Sequence, residues 1–195
     1  MESAIVTGAN GFVGSALVRE LLDNGMEVYA AVHGGNRSNL PDAKGLHVVD
    51  FDLSDAAGLT GKIPFGACDT FYDFAWDGSA GPKRADVGLQ LDNVRWTVDA
   101  LRVSKELGCD RFLHAGSIME HETMAAGYRD GNRPGQGYIY GCGKVAAHIM
   151  CMAVAAEMGV DLVWPEITNA YGPGERSPRL VNTTCLLYTS DAADD

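Results

Sequence analysis

The chain has 195 residues, of which 46% are hydrophobic and 21% are charged, and its formal net charge is −11. This length suits one domain, or one domain and a fragment of another, and the hydrophobic share is sufficient for a large buried core. The acidic balance argues against nucleic acid or an anionic membrane as the main partner, because both require basic patches, and we attribute the negative charge to solubility.

The first predicted element is a strand that leads into a glycine turn and then a helix. The stretch Ile5-Val6-Thr7-Gly8-Ala9-Asn10-Gly11-Phe12-Val13-Gly14 precedes a helical pattern from Ser15 to Leu22. Gly8 would permit a turn that a Cβ blocks, Gly11 would let the main chain approach a pyrophosphate, and Gly14 would let the helix pack against the strand. A turn without a ligand could use the same glycines, but the strand-helix-strand context favours a dinucleotide site.

Strands and helices alternate along the rest of the chain. We predict strands at residues 27–32, 46–49, 69–76, 111–115 and 161–164, and long helices at residues 86–107 and 138–158. This alternation predicts an α/β fold with a doubly wound parallel sheet.

The predicted helix 138–158 is apolar on more than one face. Its large apolar residues include Val145, Ile149, Met150, Met152, Val154 and Met158. One stripe would cover the sheet, and a second stripe would need another partner. A homodimer through the 86–107 and 138–158 helices is therefore a hypothesis, and coverage by sequence absent from this chain is the alternative.

Cysteine usage and the first residues indicate a soluble cytoplasmic protein. The five cysteines are odd in number and show no CxxC spacing, which favours reduced thiols. No signal segment precedes the first strand, and we expect no run of membrane-spanning length. We also expect no metal site: His121-Glu122 begins like a zinc-protease motif, but Ala125 stands where the second histidine would be.

A tyrosine and a lysine stand four residues apart at the start of the second long helix. The i, i+4 spacing places Tyr140 and Lys144 on one helix face, where the cation favours the phenolate and lowers a pKa that is ordinarily about 10. Such a pair can exchange a proton with an alcohol or carbonyl while a hydride moves to or from a nicotinamide. The same spacing is common by chance, but the upstream glycine turn favours the chemical interpretation.

These residues together resemble the extended short-chain dehydrogenase/reductase family, the group of NAD(P)-dependent sugar epimerases and dehydratases. The similarity extends over about residues 3–180 and rests on an ordered set of motifs. They are Thr7 to Gly14, Asp52-Leu53, Asn93 with Thr97 and Leu101, Ser117, Tyr140 with Lys144, and Asn169-Ala170-Tyr171-Gly172-Pro173-Gly174.

The resemblance implies a Rossmann-type fold whose substrate-binding C-terminal part is largely missing from this chain. Residues 1–181 would form the NAD(P)-binding domain. Residues 182–195 lack helical or strand periodicity and end in small and acidic residues, so we expect a non-native or disordered tail.

The resemblance also implies roles for individual residues. Tyr140 would donate or accept the proton, Ser117 would hydrogen-bond the reacting oxygen, and Lys144 would lower the pKa of Tyr140 and hold the nicotinamide ribose. Asn169 would contact the substrate, which the resemblance implies is a nucleotide-sugar. The implied cofactor-binding residues are Gly8, Asn10, Gly11, Phe12, Val13, Gly14, His33, Arg37, Asp52, Leu53, Phe74, Ala75, Asn93 and Lys144.

Three of these residues also have ordinary structural interpretations. Asp52, expected to bond the adenine amino group, could instead cap the following turn. Ser117 could simply end a strand, and Asn93, expected to buttress the site, could be a helix-surface amide.

The chain departs from the family pattern at three places. Where NAD-specific proteins carry an acidic residue after the second strand, this chain has His33, with Arg37 nearby, which favours NADP over NAD. Ile118-Met119 replace the Asp-Glu pair of dehydratases, which disfavours dehydration. Glu166 stands three residues before Asn169, where an arginine is common in the family, and this puts a standard nucleotide-diphosphate contact in doubt.

We therefore predict an NAD(P)-dependent epimerase or reductase that acts on a nucleotide-sugar or related hydroxyl or keto substrate. An NAD(P)-binding sensor or scaffold without catalysis is the alternative. We expect this chain to bind cofactor and to lack activity without its C-terminal part.

Overall fold

The structure of the protein, a computed structural model, describes residues 3–175. The predicted tail at residues 182–195 and the end of the predicted domain, residues 176–181, lie outside the described residues.

The central sheet has six parallel strands. Two further strands form a separate pair. In chain order the eight strands of the described residues are β1 (Ser3–Thr7), β2 (Glu27–Val32), β3 (Leu46–Asp50), β4 (Thr70–Asp73), β5 (Arg111–His114), β6 (Gly116–Ser117), β7 (Asp161–Val163) and β8 (Glu166–Ile167). The main sheet has the order β3-β2-β1-β4-β5-β7, and β6 pairs with β8 in a separate parallel pair. The winding direction reverses between β1 and β4. This confirms the predicted doubly wound sheet and opens a crevice at the carboxyl ends of these strands.

Four α-helices lie among the described residues. They are α1 (Phe12–Asp23), α2 (Val87–Glu106), α3 (Met119–Gly127) and α4 (Ile139–Met158). The Asp86 carboxylate caps α2 by accepting a hydrogen bond from the Leu89 N–H at 3.0 Å, and α4 ends at Gly159 in the left-handed region, with φ of 64°. The two long helices therefore begin and end within one residue of their predicted bounds.

Side chains on both faces of the sheet are buried. Along β1, Ile5 belongs to a cluster with Phe71 and Phe112, whereas its neighbours Ala4 and Val6 belong to a second cluster beneath α1. Successive side chains of a strand point to opposite faces, so this division shows that helices cover the sheet on both sides.

The structure differs from the prediction in its shorter elements. The predicted strand 69–76 is paired only from Thr70 to Asp73, and the residues that follow turn into the crevice. Helix α3 and the two-residue strands β6 and β8 were not predicted. Helix α3 carries two acidic residues in its first turn and little apolar periodicity, and two residues are too few to show alternation.

Helix α4 packs against α2 and the sheet through small residues. Among its buried positions are Gly143, Ala147, Cys151 and Ala155. The segment Gln136–Met158 is long and apolar enough to cross a membrane by length and composition, so our expectation that no run approaches this length was wrong. A helix that covers the core of a domain meets the same two criteria, and α4 is in that position.

Two glycines in the first turn of α4 allow this close packing. A Cβ at Gly141 would overlap Thr123 Oγ1 and stand 2.8 Å from the Met119 carbonyl oxygen of α3. A Cβ at Gly143 would come within 3.3 Å of the Gln90 side chain of α2. The two glycines lower the helix propensity of this turn, but they allow α4 to contact both neighbouring helices.

Candidate active site

The glycine turn between β1 and α1 is the tightest point of the crevice. Gly8 has a φ of 61°, and a Cβ there would stand 2.7 Å from the Phe74 carbonyl carbon at the end of β4. A Cβ at Gly14 would overlap the Gly8 carbonyl oxygen. Gly11 is the residue before α1, and no side chain caps that helix. Its first N–H groups are therefore directed at the crevice, as in sites that bind pyrophosphate.

A first cavity of about 710 Å³ lies over this turn. Gly8, Asn10 and Gly11 line it at the β1–α1 turn, and Asp52 and Leu53 line it beyond β3. Ser54 donates hydrogen bonds from its N–H and its hydroxyl to one Asp52 oxygen, at 2.8 and 2.6 Å, and these bonds lower the pKa of Asp52. Asp52 is therefore a fixed anion at the far end of the cavity.

The β2–β3 loop closes one side of the same cavity. The Asn10 side-chain oxygen accepts a hydrogen bond from the Asn39 N–H at 2.7 Å, which ties the glycine turn to this loop. His33 lines the cavity, and its Nδ1 is 3.8 Å from an Asp52 oxygen. Arg37 is exposed and is not among the described residues that line the cavity.

A second cavity of about 540 Å³ contains the three predicted catalytic residues. Ser117 follows β5, and Tyr140 and Lys144 lie on the first turns of α4. Val13, Phe74 and Asn169 also line it. The Trp76 side chain contributes to both cavities, so they meet at this residue.

Aromatic and cationic groups surround Tyr140. The Trp76 ring meets the Tyr140 ring edge-on with centroids 6.0 Å apart, and the Arg84 guanidinium carbon lies 4.4 Å from the Tyr140 ring centroid. Lys144 Nζ is 6.0 Å from the same centroid. The Tyr140 ring thus lies among an indole and two basic side chains.

Lys144 is deeply buried and is held by several groups. Its Nζ lies 2.9 Å from His114 Nε2, donates a hydrogen bond to the Ala115 carbonyl oxygen at 2.9 Å, and stands 3.6 Å from the Trp76 ring centroid. Burial lowers the pKa of Lys144 to about 7, although the carboxylates of Asp73 and Glu120 oppose this decrease. The ammonium is therefore close to losing its proton near neutral pH.

Ser117 is held by a buried carboxylate that the sequence did not reveal. Glu120 Oε1 accepts hydrogen bonds from the Ser117 N–H at 2.9 Å and from Trp164 Nε1 at 3.0 Å. Glu120 Oε2 lies 2.8 Å from His148 Nδ1 on α4. The Ser117 hydroxyl accepts a hydrogen bond from the Met119 N–H at 3.2 Å. These contacts fix the backbone of Ser117 at the edge of the second cavity.

Several predicted site residues contact other parts of the protein. Asn93 lines neither cavity: its amide oxygen accepts from the Asp77 N–H at 3.0 Å, and its amide nitrogen donates to the Asp77 carbonyl at 2.8 Å. It is buried and is therefore not a surface amide, and it buttresses the loop after β4. Phe12 also lines neither cavity, and Gly14 lies beneath the turn. Ala75 lines the first cavity.

Glu166 contacts a histidine and is not among the described residues that line the second cavity. One of its oxygens is 2.7 Å from His121 Nε2. The sequence placed Glu166 where an arginine is common in the family, and the structure gives this carboxylate a partner on α3. Among residues 3–175, no group of three or more His, Cys, Asp or Glu side chains could hold a metal ion.

Sequence reasoning missed the polar residues behind Lys144. Thr7, Asp73 and His114 end β1, β4 and β5 and are in register with one another. All three are fully buried. Polar residues at the last positions of three adjacent strands were a visible signal, because those ends meet at one edge of the sheet. Trp96 on α2, which lines the first cavity, was also missed.

Comparison with known proteins assigns a family. The chain matches the NAD dependent epimerase/dehydratase family over residues 4–190. It is 27% identical over 209 residues to dihydroflavonol 4-reductase of Zea mays, an alignment that covers 95% of this chain and 58% of the reductase. It is 23% identical over 186 residues to dTDP-glucose 4,6-dehydratase of Streptomyces griseus, covering 91% of this chain and 57% of the dehydratase.

A solved UDP-galactose 4-epimerase has a similar fold. Its TM-score is 0.75 at 22% identity, and the match covers 96% of this chain and 63% of the epimerase. The chain thus spans less than two thirds of the length of each of these three proteins. Its fold is similar to that of the matched part of the solved epimerase, and the family match extends over nearly the whole sequence. The chain belongs to the NAD dependent epimerase/dehydratase family.

Proposed function

We propose that the chain is the cofactor-binding part of an NAD(P)-dependent epimerase or reductase acting on a hydroxyl or keto group of a nucleotide-sugar or related substrate. One observation carries this proposal. The first cavity, over the glycine turn and Asp52, meets the second cavity, with Ser117, Tyr140 and Lys144, at a single side chain, Trp76. A dinucleotide in the first cavity would thus end beside the proposed acid-base residues.

The residues of the first cavity suit a dinucleotide. Gly8 and Gly14 leave space that any Cβ would fill, and the free N–H groups at the start of α1 suit a pyrophosphate. Asp52 offers a carboxylate to the adenine amino group. Similar folds have been solved with NAD bound. The bound nicotinamide would supply or accept the hydride.

The preference for NADP over NAD stays a prediction. Its structural support is limited, since His33 lines the cavity and Arg37 does not. The affinities of the chain for NADP and NAD, measured by isothermal titration calorimetry, test it directly.

In the second cavity, the residues of the chain would manage the proton. The Tyr140 hydroxyl would donate to, or accept from, the reacting oxygen, and the Ser117 hydroxyl would hydrogen-bond the same oxygen. Lys144 and the Arg84 guanidinium favour the phenolate by their charge. Lys144 would also donate to the nicotinamide ribose.

The substrate assignment rests on the family and on the composition of the second cavity. Asn169 lines this cavity and is the proposed substrate contact. Ile118 and Met119 line it where an added acid and base would be needed to eliminate water, so we propose epimerisation or reduction in preference to dehydration.

Replacing Tyr140 by Phe tests the catalytic proposal. In a protein extended to the full length of its relatives, we expect Tyr140→Phe to abolish turnover and to keep the NAD(P) affinity of the wild type. A protein that senses or scaffolds without catalysis would behave identically in both forms, and this result would contradict the proposal. Stoichiometric consumption of NADPH would indicate a reductase, and turnover without net consumption would indicate an epimerase.

We also propose that residues 1–181 fold as one domain, that residues 182–195 are not part of it, and that the chain is a cytoplasmic homodimer. The four cysteines in the described part of the chain are free, as expected in a reducing compartment. Ile149, Met150 and Met152 on α4, and Leu91 on α2, are exposed apolar side chains suited to a second copy. A monomer mass in sedimentation equilibrium at micromolar concentration would contradict the dimer.

A further inference from the structure

A row of buried polar residues connects the sheet to Lys144. The Thr7 hydroxyl donates to one Asp73 oxygen at 2.5 Å, and the other Asp73 oxygen lies 2.8 Å from His114 Nδ1. His114 Nε2 lies 2.9 Å from Lys144 Nζ. Thr7, Asp73 and His114 are fully buried, and Lys144 is only 2% exposed. Burying a carboxylate and an ammonium is costly unless each is paired, so this arrangement requires an explanation.

The partners of His114 determine its tautomer. An ionised carboxylate can only accept a hydrogen bond, so the Asp73 contact requires a proton on Nδ1. An ammonium can only donate, so the Lys144 contact requires a bare Nε2. His114 is therefore neutral, and Asp73 and Lys144 balance each other's charge through it. Consistent with this, burial and the neighbouring Lys144 lower the pKa of His114 to about 4.

We propose that Asp73 and His114 are positioning residues for Lys144, holding its ammonium at the wall of the second cavity before any ligand binds. The proposal rests on the role of Lys144 in the proposed function. Two of the three ammonium hydrogens are directed at His114 Nε2 and the Ala115 carbonyl oxygen, and the Trp76 ring lies beside the charge. The third hydrogen remains for Tyr140 or the ribose. A flexible lysine would lose side-chain entropy on binding, and this one has already lost it.

The surroundings of Lys144 show that the buried row of Thr7, Asp73 and His114 supports this lysine and does not conduct protons to solvent. Besides Asp73, the groups that act electrostatically on Lys144 are Glu120 on α3 and Cys151 on α4. The Trp164 ring contacts two histidines: the His148 ring stacks on it with centroids 4.5 Å apart, and the His114 ring is tilted against it with centroids 4.4 Å apart. Because Thr7, Asp73 and His114 have no exposed surface, the row does not lead to solvent.

The tautomer of His114 is the first test, and it needs no mutation. In the 195-residue chain labelled with ¹⁵N-histidine, long-range ¹H–¹⁵N spectra should show His114 protonated at Nδ1 and bare at Nε2 between about pH 5 and pH 8. A proton on Nε2, or titration of His114 within this range, would overturn the proposal.

The second test measures the pKa of Lys144 from its ¹³Cε chemical shift. His114→Phe keeps the ring and removes the acceptor, so we expect the pKa of Lys144 to fall by about one to two further pKa units, the range for a hydrogen bond to a charged group. His114→Gln keeps an acceptor, so the pKa of Lys144 in this variant should return most of the way to its wild-type value. His148→Gln is the matched control, because it keeps a donor towards Glu120 and changes a histidine that is stacked on the same tryptophan and does not contact Lys144.

Each outcome of these experiments supports or contradicts the positioning role of Asp73 and His114. An unchanged pKa of Lys144 in His114→Phe, or an equal decrease in His148→Gln, would contradict the positioning role. If His114→Phe does not fold, the wild-type tautomer and His114→Gln decide. NAD(P) titration of the same samples keeps the two proposals separate: a wild-type chain that binds no dinucleotide would refute the proposed function, while the tautomer would still report on Asp73 and His114.

Discussion

Replacing Gly14 by alanine is the sharpest test of the cofactor cradle. Gly14 lies in the first turns of α1, and a Cβ there would overlap the Gly8 carbonyl oxygen and stand 2.9 Å from the Gly8 carbonyl carbon. The obstacle is backbone, so it cannot move aside as the end of a flexible side chain could. Helix α1 must shift away from the turn, or the turn itself must deform.

Two opposing effects set the change in the free energy of unfolding that Gly14→Ala causes. Alanine favours the helix by up to about 1 kcal/mol over glycine, while overpacking of this kind costs about 1–3 kcal/mol. We expect a net loss of about 1–2 kcal/mol in the free energy of unfolding. The displaced atoms form the proposed pyrophosphate site, so NAD(P) affinity should fall at least about tenfold, equivalent to ~1.4 kcal/mol.

The assay compares two alanine variants. Gly127→Ala is the matched control, because Gly127 is also helical, in α3, and an added Cβ meets no atom within 4 Å. This variant should be as stable as the wild type or more stable, with unchanged affinity. Unfolding in urea and calorimetric titration with NAD(P) measure both quantities. If Gly14→Ala behaved like Gly127→Ala in both, our account of the glycine turn would be refuted.

Two further predictions concern pH and thiol reactivity. The pKa of His114 is ordinarily 6.5 and is about 4 in the folded protein, so between these pH values the unfolded chain binds a proton that the native state does not. As the pH falls through this range, the free energy of unfolding should therefore decrease by about 3 kcal/mol. Urea titrations in which His114→Gln retained the whole decrease would contradict this assignment. Among the four described cysteines, Cys142 is exposed, whereas burial raises the pKa of Cys68 to about 11 and of Cys109 and Cys151 to about 12. Brief iodoacetamide treatment followed by peptide mass spectrometry should therefore find Cys142 alkylated well before these three, and early alkylation of Cys151 would show that α4 is packed differently.

The regular elements and the cofactor cradle were predictable because their signals are local. A strand, a helix and a glycine spacing are each encoded within about ten neighbouring residues, and Gly8 to Gly14 form such a unit. The two long helices were predicted to within one residue at each end, and in the structure Asp86 precedes α2 and Gly159 follows α4. The pairing of Tyr140 with Lys144 also follows from helix geometry alone.

The environment of these residues was not predictable in the same way. In the sequence, Asp73, His114 and Lys144 are simply residues of three separate elements, and Glu120 is an acidic residue near a partial zinc motif. Their hydrogen bonds join positions up to 66 residues apart, and only the order of strands brings them together.

The sequence by itself determined the alternation of strands and helices, the glycine turn after β1 and the placement of Tyr140 and Lys144 on one helix face, since these depend on contacts between near neighbours along the chain. Tertiary structure alone decided that Asn93 supports a loop, that Glu120 holds Ser117, and that a neutral His114 connects Asp73 to Lys144. Burial and pairing depend on which distant segments pack together, and that depends on the fold of the whole chain.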